Sequence, residues 1–444
     1  MFLPQTVIQC MDALEKAGFE VYAVGGCVRD FLLGITPHDY DLCTNALPAE
    51  ICRVFSGFQL VRSGEKHGTI GVVNADGVVE ITTFRTEGDY RDGRHPGWVR
   101  FGPTIEEDLS RRDFTINAMA YSPRTGVVDP WGGQTDLRTK TLRAVGDPAV
   151  RFTEDALRIL RGVRFAARFG LTPHSETLDA MLRLAPLMEN LARERVFDEL
   201  CKLLMQVTSE DLLRYAQVLA QAIPELGACV GFQQHSPYHA YDVFTHISHV
   251  VENTPAKLSL RWAALLHDVG KPPCFTRDEN GRGHFRDHAK VGSQMADDIL
   301  RRLKAPTALR EQVVFFISHH MTPIEPERRL LLRRLSRYGT EQLLDLLDLQ
   351  EADMSSKGTG IITGKDQFPL LRDMIRELLA EAACLRIKDL AVTGSDLMAL
   401  GFAPGPALGK CLEHLLNQVL DEKIPNEREP LLLSAKKFLA EVTL

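Results

Sequence analysis

Apolar residues in positions 1–20 recur at helical spacing around Asp12, Glu15 and Lys16, which predicts an amphipathic helix. Between 21 and 142 the period changes, and short β-prone runs alternate with turn clusters in an α/β pattern. The first run, Val21-Tyr22-Ala23-Val24, reads as a strand ending at Gly25. From about 143 onward helical periodicity dominates and strand signals disappear. Neither a fixed-period repeat nor a low-complexity segment is present. The expected organisation is an α/β head over 1–142, a helical neck over 143–205, a helical body over 206–355 and a helical tail over 356–444.

Composition narrows the function classes. A chain of 444 residues with 44% hydrophobic residues has ample core for several domains. A net charge of −7 argues against a globally basic nucleic-acid binder, so any RNA contact depends on local arginine patches. Nine scattered cysteines without a C-x-x-C pair indicate neither a disulfide framework nor a zinc site. The N-terminus shows no signal-peptide core, and no apolar run approaches the ~20 residues that cross a bilayer. The expectation is a cytoplasmic protein with no membrane or DNA partner.

The densest chemistry lies in 25–41, GGCVRDFLLGITPHDYD. Gly25 and Gly26 let backbone N–H groups approach phosphate oxygens, and Arg29 adds a rigid fork of donors. If Asp39 and Asp41 lie in a strand, they point to one face and present two carboxylates side by side. Such a pair repels itself unless a cation intervenes, and hard Mg²⁺ prefers carboxylate and phosphate oxygens. Phosphoryl and nucleotidyl transfer uses that arrangement. Glu80, in VVEITTFR, falls at an alternating strand position. It reads equally as a third acidic residue of the metal site or as an outward-facing strand glutamate.

Two further blocks supply cations. EDLSRRDFTINAMA at 107–120 puts Arg111, Arg112 and Asp113 near Asn117, suited to phosphate charge and sugar hydroxyls. In RFTEDALRILRGVRFAAR at 151–168, Thr153 is the expected N-cap, Glu154 and Asp155 fill the first turn, and Gly170 with Pro173 end the helix. At 100° per residue, Arg158, Arg161, Arg164 and Arg168 fall within a ~120° arc, one basic stripe.

In order and spacing these blocks resemble the class II branch of the tRNA nucleotidyltransferase and bacterial poly(A) polymerase superfamily, over roughly the first 205 residues. GGCVRD with DYDLCT looks like its catalytic motif, RRDFTINAMAY its ribose-side motif and DPWGG at 129–133 its hinge. EDALR at 154–158 looks like its base-selecting motif, and RVFDE at 195–199 its last neck motif. The resemblance implies a mixed β-sheet head and Mg²⁺ on Asp39 and Asp41. Gly26 and Arg29 then hold the triphosphate, Arg112 and Asn117 sit near phosphate and ribose, and Arg161 and Arg164 support the base pocket or the primer.

It also implies that Asp155 and Arg158 act as a protein template for the base. Cytosine and adenine pair an exocyclic amino donor with a ring-nitrogen acceptor, which a carboxylate and a guanidinium match. Guanine and uracil reverse that pattern and leave both side chains unsatisfied. The function implied is addition of CCA to tRNA 3′ ends from CTP and ATP, with release of pyrophosphate. In this family a mobile loop beside the metal site serves the final adenosine step, and the glycine- and proline-rich run 85–103 resembles it.

A separate constellation occupies 240–355: His246, His267-Asp268, His288, His319-His320 and Asp353. Imidazoles and carboxylates on successive helices suit divalent transition metals with water open for attack on a phosphate. The pattern resembles the HD phosphohydrolases, an inserted HD domain, with His246, His267, Asp268 and Asp353 as first ligands and Ni²⁺, Co²⁺ or Mn²⁺ as metal. His288 and one of His319 or His320 could complete a second site. In the tail, 390–410 resembles the C-terminal segment of CCA-adding enzymes. Gly401, Gly405 and Gly409 there suggest a tight helix–turn–helix, either meeting RNA phosphates or serving as a connector. The alternatives are a poly(A) polymerase sharing the head, an HD hydrolase whose head only binds RNA, and a non-catalytic RNA-binding protein.

Overall fold

The structure is a computed structural model and describes residues 3–87, 99–101, 104–358, 366–381 and 384–442. The chain divides into two compact units, Met1–Val230 with Asp298–Thr307, and Gly231–Asp297 with Ala308–Leu444. These are coarser than the four segments expected from the sequence, since head and neck fall together.

In the first unit, α1 (Gln5–Lys16) precedes β1 (Val21–Val24), α2 (Gly26–Leu32), β2 (Asp41–Thr44), α3 (Pro48–Val54), β3 (Leu60–Val61), β4 (Thr69–Asn74) and β5 (Gly77–Thr83). Next come β6 (Arg85–Glu87) and β7 (Val99–Phe101), which pair antiparallel. Most of the 85–103 segment, including the part expected to act as the loop, lies outside the described residues. After α4 (Ile105–Ser110), strands β8 (Ala120–Ser122) and β9 (Gly126–Val128) complete a seven-stranded sheet in the order β3-β4-β5-β2-β1-β8-β9. Only the β2–β5 pairing is parallel, so the sheet is mixed, as the resemblance implied. Strand β1 carries a continuous apolar run, whereas β5 alternates, with Val79, Ile81 and Thr83 buried and Glu80 exposed; Ala23, Val24, Leu42 and Ile81 are fully buried.

Helix α5 (Gly133–Arg138) and β10 (Thr141–Leu142) lead into the neck: α6 (Pro148–Glu154), α7 (Leu157–Phe169), β11 (Thr172–Pro173), α8 (Ser175–Leu184), α9 (Arg193–Leu204) and the short α10 (Ser209–Arg214), α11 (Ala216–Ala222) and α12 (Pro224–Gly227). The expected helix start at Thr153 is wrong. Asp147 caps Ala149 N at 2.8 Å and Pro148 occupies the first turn, a stronger start signal. The helix then breaks at Asp155, whose backbone is extended. The expected stop at Gly170 is present, with φ 59° in the left-handed region. Helix α7 packs on α9 and buries Ile159, Leu160, Val163 and Phe165.

From Gly231 onward the chain is mainly helical: α13 (Val243–Asn253), α14 (Leu258–Leu266), α15 (His288–Arg302), α16 (Thr307–His319), α17 (Arg328–Tyr338), α18 (Thr340–Ser355), α19 (Gln367–Ala380), α20 (Gly394–Ala399), α21 (Pro406–Leu420) and α22 (Arg428–Val442). A hairpin of β12 (Phe275–Arg277) and β13 (Gly283–Phe285) interrupts it, and β10 pairs with β11 in the neck. Both ladders correct the expectation of purely helical domains, because strands of two or three residues are too short to register as alternation. The tail has its own core, with Leu397, Phe402, Cys411, Leu415 and Leu431 buried. Gly401 and Gly405 both adopt positive φ between α20 and α21, the helix–turn–helix read from the sequence, while Gly409 lies within α21. All nine cysteines are free thiols. Among the described residues, no helix is long and apolar enough to cross a membrane.

Candidate functional sites

A cavity of about 820 Å³ opens beside Gly25. Its lining includes Gly25, Gly26, Arg29, Asp39, Asp41, Arg112, Asn117, Asp155, Arg158, Arg161 and Arg164, so the structure brings every residue expected around the nucleotide to one place. Gly25 has φ 72°, a backbone conformation that favours glycine, and a Cβ there would lie 2.7 Å from Arg112 Nη1 and displace that guanidinium end.

The carboxylates differ from expectation in one respect. Strand β2 starts at Asp41, pairing with Val24 and, on the parallel side, with Glu80. Asp39 lies before it, exposed and outside the ladder, two residues after Pro37. Strand alternation therefore does not align the pair. Asp41 and Glu80 instead are direct cross-strand neighbours. Desolvation raises the Asp41 pKa above the usual carboxylate value, and Glu80 and Asp39 raise it further, against a counteracting pull from Arg112. Glu80 is not part of the cavity lining itself.

The cations are held in a connected chain. Buried Arg29 donates through Nε and Nη2 to Asp30 Oδ1 at 2.8 and 2.6 Å and through Nη1 to Asn117 Oδ1, with its guanidinium 4.5 Å from the Phe169 ring. Asn117 Nδ2 donates to Asp113 Oδ1 at 3.0 Å, and Arg161 reaches Asp113 Oδ2 at 2.7 Å. Burial works against the Asp113 carboxylate, but Arg161 and the Asn117 hydrogen bond outweigh it and hold its pKa down at about 2. Arg112 pairs with the fully buried Asp108, and Arg164 with Glu199 at 2.6 Å.

The two side chains expected to read the base are also held. Asp155 takes a two-pronged contact from Arg195, 2.7 Å to Oδ2 and 3.3 Å to Oδ1, and its Oδ1 accepts from Leu157 N. Arg158 donates from Nη1 to Glu154 at 2.6 Å and to Arg151 O, and from Nη2 to Arg111 O. Arg195, Glu199, Asp113 and Asp108 were missed as partners. Arg195 and Glu199 bound the RVFDE segment, and Asp113 and Asp108 lie in the EDLSRRD block, so the signal was in motifs already singled out.

In the second unit, one group joins His246, His267 and Asp268, and another joins Asp268, His288 and His320, with ligand atoms of each group within 4.8 Å of one another. Asp353 Oδ1 lies 3.0 Å from His246 Nε2. The choice left open in the sequence falls to His320, since His319 turns away and stacks on Phe315 at 4.4 Å. Each ring in the cluster donates Nδ1–H to a backbone carbonyl: His246 to Ser356, His267 to Ala264, His288 to Phe285 and His320 to Ile317. Burial, with neighbouring Lys271, pushes His239 down to about 3, a ring beside the cluster that sequence reading missed. Gly270 is tightly enclosed: a Cβ there would lie 2.4 Å from His288 O and 2.6 Å from Gly292 N.

Residues 21–143 match the Poly A polymerase head domain, 170–229 the probable RNA and SrmB-binding site of polymerase A, and 284–435 the putative tRNA nucleotidyltransferase domain 2. A CCA-adding enzyme of Latilactobacillus sakei is 33% identical, covering 96% of each chain, and one of Levilactobacillus brevis is 34% identical, covering 96% of this chain and 95% of its own. The chain belongs to the CCA-adding enzyme family. A solved CCA-adding enzyme of Bacillus stearothermophilus, in complex with CTP, covers both chains completely with TM-score 0.70 and 25% identity. Membership of the CCA-adding enzymes makes this chain a tRNA nucleotidyltransferase, and the mixed-sheet head followed by helical regions is the fold it shares with them.

Proposed function

We propose that this chain builds and repairs the CCA end of tRNA from CTP and ATP, selecting each base with Asp155 and Arg158. The observation that carries this reading is the shared cavity. Its lining includes Asp155 and Arg158 together with Asp39, Asp41 and the Arg29–Asn117–Asp113–Arg161 chain, which supports the reading.

The partners of the template pair fix its orientation without exhausting it. A carboxylate offers about four lone-pair sites and a guanidinium five donors. The contacts described leave Asp155 able to accept from an amino group and Arg158 able to donate through Nε–H and a second Nη2–H. Arg29 and Arg112 face the triphosphate, Asn117 the ribose, and Arg161 and Arg164 support the base pocket or the primer. The tRNA 3′-hydroxyl oxygen gives up its proton to solvent and bonds to the α-phosphorus as the bond from the α-phosphorus to the oxygen bridging to the β-phosphorus breaks, and pyrophosphate leaves.

The acidic edge suits Mg²⁺. Asp41 stands beside Glu80 with its pKa raised, the state of a carboxylate lacking a counterion. When bound there, Mg²⁺ supplies charge neutralisation at the reacting phosphate. Asp39 and Asp41 would hold it. Incubation of tRNA lacking its 3′ end with each nucleotide tests the reading. CTP should add two residues, ATP one more, and GTP and UTP none. Long adenosine tracts would point to a poly(A) polymerase and a stop after two cytidines to a CC-adding enzyme.

The second unit favours an additional activity. The convergence of His246, His267, Asp268 and Asp353 supports an HD-type phosphohydrolase centre for Ni²⁺, Co²⁺ or Mn²⁺, with phosphoesters such as 2′,3′-cyclic phosphates as substrates. In that reaction a water oxygen bonds to phosphorus as the P–O ester bond breaks, and a water proton ends on the released hydroxyl. Wild type that hydrolyses no phosphoester with any of these metals would sink this second reading.

A further inference from the structure

We propose that Arg168 holds the terminal phosphate of the incoming nucleotide and so makes the site prefer triphosphates to diphosphates. The inference rests on the reading of Asp155 and Arg158 as the base end of the head cavity and of Arg29 as its phosphate end.

Arg168 stands apart from the other cations of that cavity. Every other arginine of the lining is paired with a carboxylate, and the Lys202 ammonium stands 3.8 Å from Glu199. Among the described residues, Arg168 has no acidic partner, so its charge is free for a ligand. It is exposed, and water supports that charge while the cavity is empty.

Its place along α7 sets the distance. Arg158 lies in the first turn of that helix and Arg168 in the last. Ten residues rise about 15 Å along the axis, the order of length of an extended nucleoside triphosphate. With the base against Asp155 and Arg158 at one end of α7, the far end of the triphosphate falls at the other.

Phe169 joins Arg168 to the phosphate end. The Arg29 guanidinium lies 4.5 Å from the centre of the Phe169 ring and the Arg168 guanidinium 4.9 Å. Phe165 stacks on Phe169 with centroids 6.2 Å apart, which steadies the ring both guanidiniums share. Burial lowers the Arg29 pKa, Asp30 works against that, and the Arg168 charge lowers it further. Two like charges gathered at one ring are relieved by an anion that reaches both. A planar guanidinium with all its edge donors unclaimed by carboxylate suits the three oxygens of a terminal phosphate. A diphosphate with its base in place ends one phosphate short of that contact. A cation in the last turn of a helix also favours the helix dipole, a role that asks for charge alone and for no nucleotide.

The test measures CTP and CDP binding to full-length protein in Mg²⁺ without tRNA, by titration calorimetry. Arg168→Ala should weaken CTP about tenfold to a hundredfold and leave CDP within about twofold, the scale of one charge-assisted hydrogen-bonded contact. Arg168→Lys should recover part of the CTP affinity. In steady-state addition, the KM values for CTP and ATP should rise together, while base preference and the KM for tRNA stay unchanged. Wild type that binds CDP as tightly as CTP refutes the inference without any variant. A variant with unchanged CTP affinity and a raised KM for tRNA assigns Arg168 to a primer phosphate instead. Equal losses for CTP and CDP place the contact on the inner phosphates, and unchanged binding with a lowered melting temperature leaves only the helix-end role; each overturns the inference. Wild type that binds neither nucleotide overturns the reading of the cavity beneath it.

Discussion

The two sites are built on opposite electrostatic plans. Around the head cavity nearly every charge already has an opposite partner: Arg29 with Asp30, Arg112 with Asp108, Arg161 with Asp113, Arg164 with Glu199, Asp155 with Arg195. In the histidine cluster acceptor faces acceptor, with Lys271 as the ammonium nearest Asp268. A site visited by a passing polyanion must stay folded when empty, so its cations are paired beforehand and lend only spare donors. A site for a resident cation can leave its lone pairs bare, because the ion arrives with folding and stabilises what it completes.

The sharpest way to break the contrast is at the exception within the head. Asp41→Asn removes a ligand charge from the uncompensated Asp41–Glu80 edge with little change in volume. Nucleotide addition should fall by about a thousandfold or more, the equivalent of several kcal/mol of transition-state stabilisation, while the melting temperature stays unchanged. Single-turnover assays with CTP measure it, and near-normal turnover refutes the assignment. Asp39→Asn should act in the same direction.

Next in size is metal-linked stability. Wild type at about 100–1,000 Kd of Co²⁺ should gain roughly 3–4 kcal/mol by mass action. His267→Ala/Asp268→Ala should gain nothing, yet keep CTP and ATP addition, because none of the residues lining the head cavity belongs to the cluster. A folded double variant that no longer adds nucleotides would show the sites to be coupled. Base choice follows. Asp155→Ala should erode the preference for CTP and ATP over UTP and GTP about a hundredfold, on the logic of unpaired donors and acceptors. Arg195→Ala, which frees Asp155 without removing it, should lose about tenfold with KM rising more than kcat falls. Incorporation ratios that stay intact in Asp155→Ala and Arg158→Ala rule out the template.

The smallest effect concerns a pre-paired charge. Asp113 has its folded pKa depressed from 3.8 to about 2. Its stabilisation is therefore complete above pH 4 and lost as pH falls through 2, and amounts to about 2 kcal/mol. Asp113→Asn should be less stable than wild type at pH 6, with the gap closing between pH 4 and 2 in urea titrations. A constant gap across that window contradicts the pairing.

Much of this was legible in the chain because some signals are local. The strand before Gly25, the glycine stop at 170 and the cationic blocks each depend on neighbours in sequence. The misreadings come from competing local signals, such as Asp147 and Pro148 ahead of Thr153, and from partners distant in sequence. Thr153 looked like a cap because the sequence does not display Arg195 reaching back to hold Asp155 out of a helix. Asp39 and Asp41 looked aligned because alternation was assumed to extend past Pro37. His319 and His320 are adjacent at the end of α16, 100° apart in direction, and only packing against Phe315 separates them. Residue types suggest the chemistry, and three-dimensional pairing shows which atoms stand together.

Gly270 carries a consequence for descent. The segment that follows His267 and Asp268 passes so near His288 and Gly292 that a single methyl group would force the two apart. Related chains can therefore keep every histidine and aspartate of the cluster and still lose its geometry by gaining an alanine at this position. An inventory of ligands does not reveal that loss, so the glycine is the residue to inspect before a relative is credited with metal chemistry.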